Sequence, residues 1–321
     1  MDIQILLGLQ NLREALGGTL NTFFSFITTI AVDYWVIVPA LIIFWAFDKK
    51  NGRILMFSAG IGRLLTALLK TIFCVYRPWI RDPAIKPLPQ VMSGATGYSF
   101  PSGHSASTSS LYAALIVIYR KYKGLCIFCG IMIFITMFSR MYVGVHTPQD
   151  VIVGAAIGFA AAIAGLKIVE WVEKNPNKDW VILVITVIVM AAILILIGLK
   201  KYPMDYVDGK LLVDPKKMTV DGFKDPGTCF GIILGWFIEK RFINFSTEGT
   251  TYQKVLRCVI GGLAYVFSLT VIINPLGRAI GIGIVHFILQ AIQPLFFMTV
   301  YPIIFTKIEK RNYEINRKNV I

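Results

Sequence analysis

Three short segments of the chain combine cations, histidines and one carboxylate in a way that suits chemistry on an anion. They read Lys70-TIFCVY-Arg77-Pro78, Pro101-Ser102-Gly103-His104 and Ser139-Arg140-MYVGV-His146-TPQ-Asp150. Lys70 and Arg77 are seven residues apart, so on a helix both project from the same side. Together with Arg140 they supply three cations, a set that suits a tetrahedral oxyanion.

The second segment has the features of a helix start. Ser102 is a favourable N-cap residue, which leaves the amides of Gly103 and His104 at a helix N-terminus, where anions bind well. The whole chain has three histidines, and two of them lie in these segments. We therefore expect His104 to belong to a functional site.

The third segment predicts a histidine held by a carboxylate. Thr147-Pro148 is typical of a helix start, with Pro at the first helical position and Asp150 at the third. From there the Asp150 carboxylate can reach back to the His146 ring. Such a partner fixes the tautomer of the imidazole and stabilises the imidazolium that develops during attack.

The composition places these segments in a membrane protein. Of 321 residues 56% are hydrophobic and 16% are charged, and the mean hydropathy is +0.67. These values exclude a disordered chain, a collagen and an ordinary soluble enzyme. The net charge of +14 is interpreted as loop bias rather than as a nucleic-acid surface, so we predict no nucleic-acid partner.

Hydropathy predicts an all-α, polytopic helical bundle of about nine transmembrane helices. Residues 1–20 carry Leu and Ile at helical spacing and suit a helix at the membrane interface. The predicted spans are 21–46, 54–75, 104–119, 124–139, 147–168, 180–199, 227–239, 255–273 and 279–304.

The distribution of basic residues predicts the orientation. Connections after the odd-numbered spans hold 18 Lys and Arg, against 13 in the N-terminus and the other connections. The odd set is therefore expected to be cytoplasmic and the N-terminus outside. With this topology all three segments meet at the extracytoplasmic face.

The three segments resemble the signature of the type 2 phosphatidic acid phosphatase superfamily. K-x6-RP, PSGH and SR-x5-H-x3-D match it at eleven specified residues. The superfamily includes lipid phosphate phosphatases, undecaprenyl diphosphate phosphatases, glucose-6-phosphatase and the vanadium haloperoxidases. The resemblance covers roughly the first 200 residues and implies a six-helix phosphatase core at 21–199. The predicted spans and orientation place an extracytoplasmic loop at 200–226 after it, followed by a C-terminal transmembrane extension at 227–321.

The resemblance also implies the roles of individual residues. His146 is expected to attack phosphorus and form a phosphohistidine, with Asp150 holding its ring, and His104 to protonate the leaving oxygen and then activate water. No metal and no cofactor are expected. The phosphoryl oxygens are expected to be bound by Lys70, Arg77, Ser102, Gly103 and Arg140.

The function expected from the resemblance is hydrolysis of a lipid phosphate or diphosphate monoester, in a bacterial cell membrane and on its extracytoplasmic side. The alternatives are a phosphotransferase on the same scaffold, a hydrolase of a soluble phosphate like glucose-6-phosphatase, and a lipid transporter or flippase. The head group, the acyl chain and the oligomeric state are not predicted by the sequence.

Two buried charges and a stripe of small residues are of secondary interest. Asp33 and Arg63 lie at matching depths in the first two spans, so they are predicted to form an ion pair, with Arg63 as possible support for the phosphate site. Gly154, Gly158 and Ala162 follow Asp150 at four-residue spacing. The stripe predicts close helix packing in preference to an acyl-chain groove.

Two polar regions in the last third of the chain leave alternatives open. His286, Gln290 and Gln293 fall on one side of the ninth span. They either line a substrate route or form hydrogen bonds with neighbouring helices. The Lys- and Asp-rich residues 200–226 are predicted to be a solvated loop, with a lid over the site as the alternative.

Overall fold

The computed structural model describes residues 2–30 and 34–318, most of which are helical. The helices are α1 (Asp2–Ala15), α2 (Asn21–Ile30), α3 (Tyr34–Ala46), α4 (Lys49–Phe73), α5 (Pro78–Arg81), α6 (Pro89–Met92), α7 (Gly103–Ile118), α8 (Lys123–Tyr142), α9 (Pro148–Lys174), α10 (Asp179–Leu199), α11 (Pro215–Gly222), α12 (Lys224–Ile238), α13 (Thr251–Phe267), α14 (Asn274–Ile280), α15 (Gly283–Met298) and α16 (Val300–Lys318). Two π-helical segments, Glu239–Ile243 and Ser268–Ile273, extend α12 and α13, and β1 (Tyr206–Val207) pairs antiparallel with β2 (Lys210–Leu211). The predicted all-α fold is confirmed.

Among the described residues, six helical stretches are long and apolar enough to cross a membrane, and seven if the bent pair α2 and α3 forms one span. This confirms a polytopic membrane protein. α7 and α12 occupy the third and seventh predicted spans with only 16 and 15 residues, which is short for a bilayer. The count of nine spans therefore stays a prediction.

α7 and α9 pack closely against each other in the core that carries the motifs. A methyl group added at Gly154 would lie 2.6 Å from the Ser102 carbonyl oxygen, and one at Gly158 would lie 2.6 Å from the Ser110 amide nitrogen. The two backbones therefore touch where the glycines leave room. The close packing predicted from the small-residue stripe is confirmed.

The starts of α7 and α9 follow the predicted capping. Ser102 Oγ accepts a hydrogen bond from the Ser105 amide, and Thr147 and Asp150 form a reciprocal capping box with Pro148 at the first helical position. The Ser102 amide donates to the Asp150 carbonyl at 2.9 Å. The N-termini of the two helices are thereby fixed side by side.

The C-terminal helices pack against the first half of the chain. Trp45 Nε1 on α3 donates to the Phe297 carbonyl on α15 at 2.9 Å, and Gly227 and Gly231 on α12 lie directly against the backbone of α15. α12 in turn packs on α4, which carries Lys70. The extension therefore stands next to the helix that carries the first motif.

The N-terminal helix is held against the connections at the motif end of the bundle. Arg13 is buried and donates to the carbonyls of Lys86 at 2.7 Å and Tyr142 at 3.3 Å. An ion pair of 2.8 Å joins Asp2 to Arg81. Its position at the membrane interface stays a prediction.

The predicted Asp33–Arg63 pair involves a residue outside the described ones, Asp33, and it stays a prediction. Arg63 forms an ion pair of 2.7 Å with Asp225 at the start of α12. Residue spacing does not indicate this partner, because Asp225 is 162 positions away along the chain.

We expect Gly158→Ala to lower the free energy of unfolding by about 1–3 kcal/mol, since the added methyl forces α7 and α9 apart. Denaturant unfolding in detergent micelles measures this. Gly130→Ala on α8 is the matched control, because nothing lies within 4 Å of its added methyl. Equal stabilities of the two variants would contradict the packing described for this contact.

Candidate active site

The three motif segments meet at one place in the structure. Lys70 lies in the last turn of α4 and Arg77 just beyond it, while His104 lies in the first turn of α7 and Arg140 in the last turn of α8. His146 lies in the connection between α8 and α9. The side chain of His104 interacts electrostatically with Arg140, His146, Arg77 and Lys70.

The hydrogen bonds of His146 define its tautomer. Nδ1 lies 3.3 Å from Asp150 Oδ2 and 3.3 Å from Ser99 Oγ, and Ser99 Oγ donates to Asp150 Oδ2. Nε2 lies 3.0 Å from Nη1 of Arg77. Because a guanidinium only donates, Nε2 is the acceptor and the proton of the neutral ring is on Nδ1.

The surroundings of His146 keep the ring neutral. The residue is 1% exposed. Burial, followed by the charges of Arg77, Arg140 and Lys70, holds the pKa of His146 well below its usual value of 6.5. A neutral ring with a lone pair on Nε2 is a potential nucleophile at pH 7.

Backbone carbonyls hold Arg77 in place. Nε donates to Gly97 O at 3.2 Å, Nη1 to Val145 O at 3.0 Å and Nη2 to Thr96 O at 3.2 Å. The side chain is buried, and the carbonyl groups orient it without cancelling its charge. The guanidinium can therefore still attract an anion.

Lys70 and Arg140 are likewise held by neutral groups. Lys70 Nζ donates to Tyr98 O at 3.0 Å and Ser99 O at 3.3 Å. Arg140 is 2% exposed, and its Nη1 donates to Thr28 Oγ1. Its Nε is buried without a partner in the described part of the chain, so one charged donor is left for a ligand.

Ser102, Gly103 and His104 form the helix terminus beside this cluster. Gly103 is the first residue of α7, so its amide is not used by the helix. The His104 ring is half-buried. The end of α7 thus adds backbone donors and a second imidazole to three cations, a set suited to binding a phosphoryl group and moving its protons.

A cavity of about 610 Å³ opens next to the cluster. Its wall includes Lys70 from α4 and Tyr202, Met218 and Asp221 from residues 200–226. Most of residues 200–226 are exposed or half-buried, as expected for a solvated loop, but the stretch also forms one side of the cavity, as the alternative of a lid requires. Its extracytoplasmic position stays a prediction.

The three polar residues of α15 were predicted either to line a substrate route or to form hydrogen bonds with neighbouring helices, and they differ in this respect. Gln290 lines the cavity and donates to Asn274 Oδ1 at 3.1 Å. Gln293 is buried and donates to Tyr265 O and Ser268 Oγ, both at 3.0 Å. His286 is buried against Gly277. Only Gln290 therefore faces a possible substrate route.

Two contacts of the site were missed by sequence reasoning. Ser99 links Asp150 to the His146 ring, and Thr28 accepts from Arg140. Ser99 lies three residues before Ser102, but no spacing rule connects it to an aspartate 51 positions later. Thr28 lies in α2, outside the three motif segments.

Comparison with known protein families identifies the fold family. Residues 51–174 match the model of the PAP2 superfamily, and these residues contain all three motif segments. The chain belongs to the PAP2 superfamily. A second stretch, 223–312, matches the model described as "PAP2 superfamily phosphatase, transmembrane extension". The family resemblance stated above is confirmed.

The relatives of this PAP2 protein act on lipid phosphates, as their names state. The chain is 31% identical over 142 residues to the undecaprenyl-diphosphatase of Sulfolobus acidocaldarius, a match covering 44% of the chain and 66% of that relative. It is 30% identical over 163 residues to the lipid A 4′-phosphatase of Porphyromonas gingivalis, covering 46% and 67%. With the lipid A 1-phosphatase of Rhizobium johnstonii it shares 33% over 108 residues, covering 33% and 43%. The chain therefore matches less than two thirds of the length of the undecaprenyl-diphosphatase and of the lipid A 1-phosphatase.

No solved structure matches this PAP2 chain.

We expect His146 to be neutral and protonated at Nδ1 at pH 6.5, because its pKa lies well below that value. Nitrogen-15 NMR of the histidine-labelled protein in detergent measures this, with the His146→Gln variant to assign the signals. The ring should take up a second proton only as the pH falls well below 6.5. A doubly protonated His146 at pH 6.5 would contradict the hydrogen bonding described for the ring.

Proposed function

We propose that the protein is a membrane phosphatase that hydrolyses a lipid phosphate or diphosphate through a phosphohistidine on His146. The observation that carries the proposal is the buried His146 ring, whose Nδ1 proton faces Asp150 and whose Nε2 lone pair lies within the cluster of Lys70, Arg77 and Arg140. A nucleophile beside uncompensated cations suits attack on an anionic phosphorus centre.

In the first step the phosphoryl group replaces His146 as the acceptor of the hydrogen bond from Arg77. Nη1 of Arg77 leaves Nε2 of His146 and donates to a phosphoryl oxygen, which frees the lone pair for attack. The bond between Nε2 and phosphorus forms as the bond from phosphorus to the leaving oxygen breaks. His104, which takes up a proton once the bound phosphoryl anion offsets the surrounding cations, gives that proton to the leaving oxygen. Asp150 stabilises the charge that develops on the His146 ring.

In the second step water replaces the histidine. His104, now neutral, takes a proton from the attacking water, whose oxygen bonds to phosphorus. The bond between phosphorus and Nε2 breaks, and the electron pair returns to His146. Lys70, Arg77, Arg140, Ser102 and the Gly103 amide hold the phosphoryl oxygens in both steps.

The proposed substrate is a lipid because the site opens among membrane-spanning helices. α4 and α9, which hold Lys70 and Asp150, are both long and apolar enough to span the bilayer. The relatives' names, undecaprenyl-diphosphatase and lipid A phosphatase, support the same substrate class. A lipid tail would remain in the bilayer while its head group enters the site.

The excess of basic residues in the odd-numbered connections supports a site on the extracytoplasmic side of the cell membrane. In this orientation the substrate would be drawn from the outer leaflet.

We expect the purified protein to release phosphate from a panel of lipid phosphates, and His146→Ala to lower kcat by at least about a thousandfold. The panel comprises phosphatidic acid, phosphatidylglycerol phosphate, undecaprenyl diphosphate and, as a soluble control, glucose 6-phosphate. Quenching with a phosphorus-32 substrate should trap alkali-stable label on the wild type and none on His146→Ala. Release of phosphate from His146→Ala at the wild-type rate would overturn the proposal.

We expect turnover to survive excess EDTA and to be inhibited competitively by vanadate, because every donor assigned to the phosphoryl oxygens is a side chain or backbone amide of this chain. Steady-state rates measured with and without EDTA test the first part. Loss of activity in EDTA that a divalent metal restores would contradict the mechanism.

A further inference from the structure

The cavity beside the phosphate cluster is built jointly by the core and the C-terminal helices. Its volume of about 610 Å³ lies within the range of ligand sites. Lys70 lies in its wall on the side of the cluster. Thr270, Asn274 and Arg278 line it from the region of α14, and Gln290 lines it from α15.

Among the described residues, four cations and two carboxylates line the cavity, and most of these charges are paired. Arg63 forms an ion pair of 2.7 Å with Asp225, and Lys224 one of 2.6 Å with Asp221. The other two cations of the described lining are Lys70, which is hydrogen-bonded to backbone carbonyls, and Arg278. The described part of the lining therefore carries a net positive charge after these pairs are formed.

Arg278 is positioned as a donor that faces the cavity. Its Nε donates to the Asn274 carbonyl at 3.3 Å, and the part of the chain that the structure describes gives it no carboxylate partner. The side chain is exposed, so both terminal nitrogens are available. A guanidinium with free terminal nitrogens binds phosphoryl oxygens in a bidentate manner.

The side chain of Asn274, one helical turn before Arg278, is fixed by a hydrogen bond. Its Oδ1 accepts from Gln290 Nε2 at 3.1 Å, which leaves its amide hydrogens as donors. Thr270, Asn274 and Arg278 are four residues apart, and a π-helical segment, Ser268–Ile273, immediately precedes Asn274. Short π-helical segments often occur at functional sites.

We propose that the C-terminal extension provides a subsite for a second phosphoryl group of the substrate, built from Arg278 and Asn274. This inference rests on the proposed function, in which the scissile phosphoryl group lies at Lys70, Arg77 and Arg140. The cationic side chains in the wall favour an anionic group there over an apolar chain, which would leave those charges without water or a partner. The favoured substrates are therefore lipids with a phosphoryl group beyond the scissile one.

The test compares pairs of substrates that share a lipid tail and in which one member carries an additional phosphoryl group, attached directly in the first pair and through glycerol in the second. The first pair is farnesyl diphosphate and farnesyl monophosphate, in which the second group is adjacent to the scissile one. The second pair is phosphatidylglycerol phosphate and phosphatidic acid, in which glycerol separates the two groups. KM and kcat are measured for each substrate with the wild type and with Arg278→Gln.

We expect Arg278→Gln to raise the KM of the substrate with two phosphoryl groups, relative to its partner, by about tenfold in at least one pair, which is about 1.4 kcal/mol. Arg278→Lys, which keeps the charge, should recover part of the loss. Arg311→Gln is the matched control, since Arg311 is an exposed arginine of the same extension outside the cavity.

The outcomes separate the subsite from the proposed function. A change confined to one pair supports the subsite and tells whether the second group is adjacent or separated. If the wild type hydrolyses these lipids but Arg278→Gln leaves the KM ratio of both pairs unchanged, the subsite is wrong and the phosphatase stands. If the wild type releases phosphate from none of them, the proposed function fails and the subsite fails with it.

Discussion

The arrangement of this protein depends on holding positive charge inside a helical bundle without cancelling it. Removing a cation from water costs several kcal/mol, and a carboxylate partner would remove the attraction for an anion. Arg77, Arg140 and Lys70 are instead bonded to carbonyl and hydroxyl oxygens. The irregular backbone at 93–102, which provides several of these carbonyls, is therefore as much a part of the site as the motif side chains.

Helix packing brings the other groups of the site to these cations. α7 and α9 approach closely enough at Gly154 and Gly158 that their N-termini lie side by side. The amide end of α7 and the His146–Asp150 pair at the start of α9 are thereby brought to the same cations. The small residues at the α7–α9 contact thus determine the distance between the groups of the site. A change in this packing would therefore move those groups apart.

Local features of the sequence predict much of this arrangement, whereas contacts between distant segments could not be predicted from it. The caps at Ser102 and Thr147 and the packing of Gly154 and Gly158 depend on neighbours within a few residues or on one helix face, so spacing alone indicates them. Ser99, Thr28 and the Arg63–Asp225 pair depend on how distant segments meet. The same holds for residues 200–226: their charged composition is typical of a solvated loop and does not reveal that Asp221 is paired with Lys224 at the cavity wall.

The hydrogen bond from Arg77 to Nε2 of His146 has a consequence for selectivity. The Nε2 lone pair accepts a hydrogen bond from the same guanidinium that, in the proposed mechanism, the phosphoryl group recruits. A neutral electrophile that diffuses in from the bilayer does not attract the guanidinium, so the lone pair stays hydrogen-bonded. Under this mechanism, discrimination against uncharged molecules resides at Nε2 of His146 itself, because an anion is needed to draw Arg77 away from it.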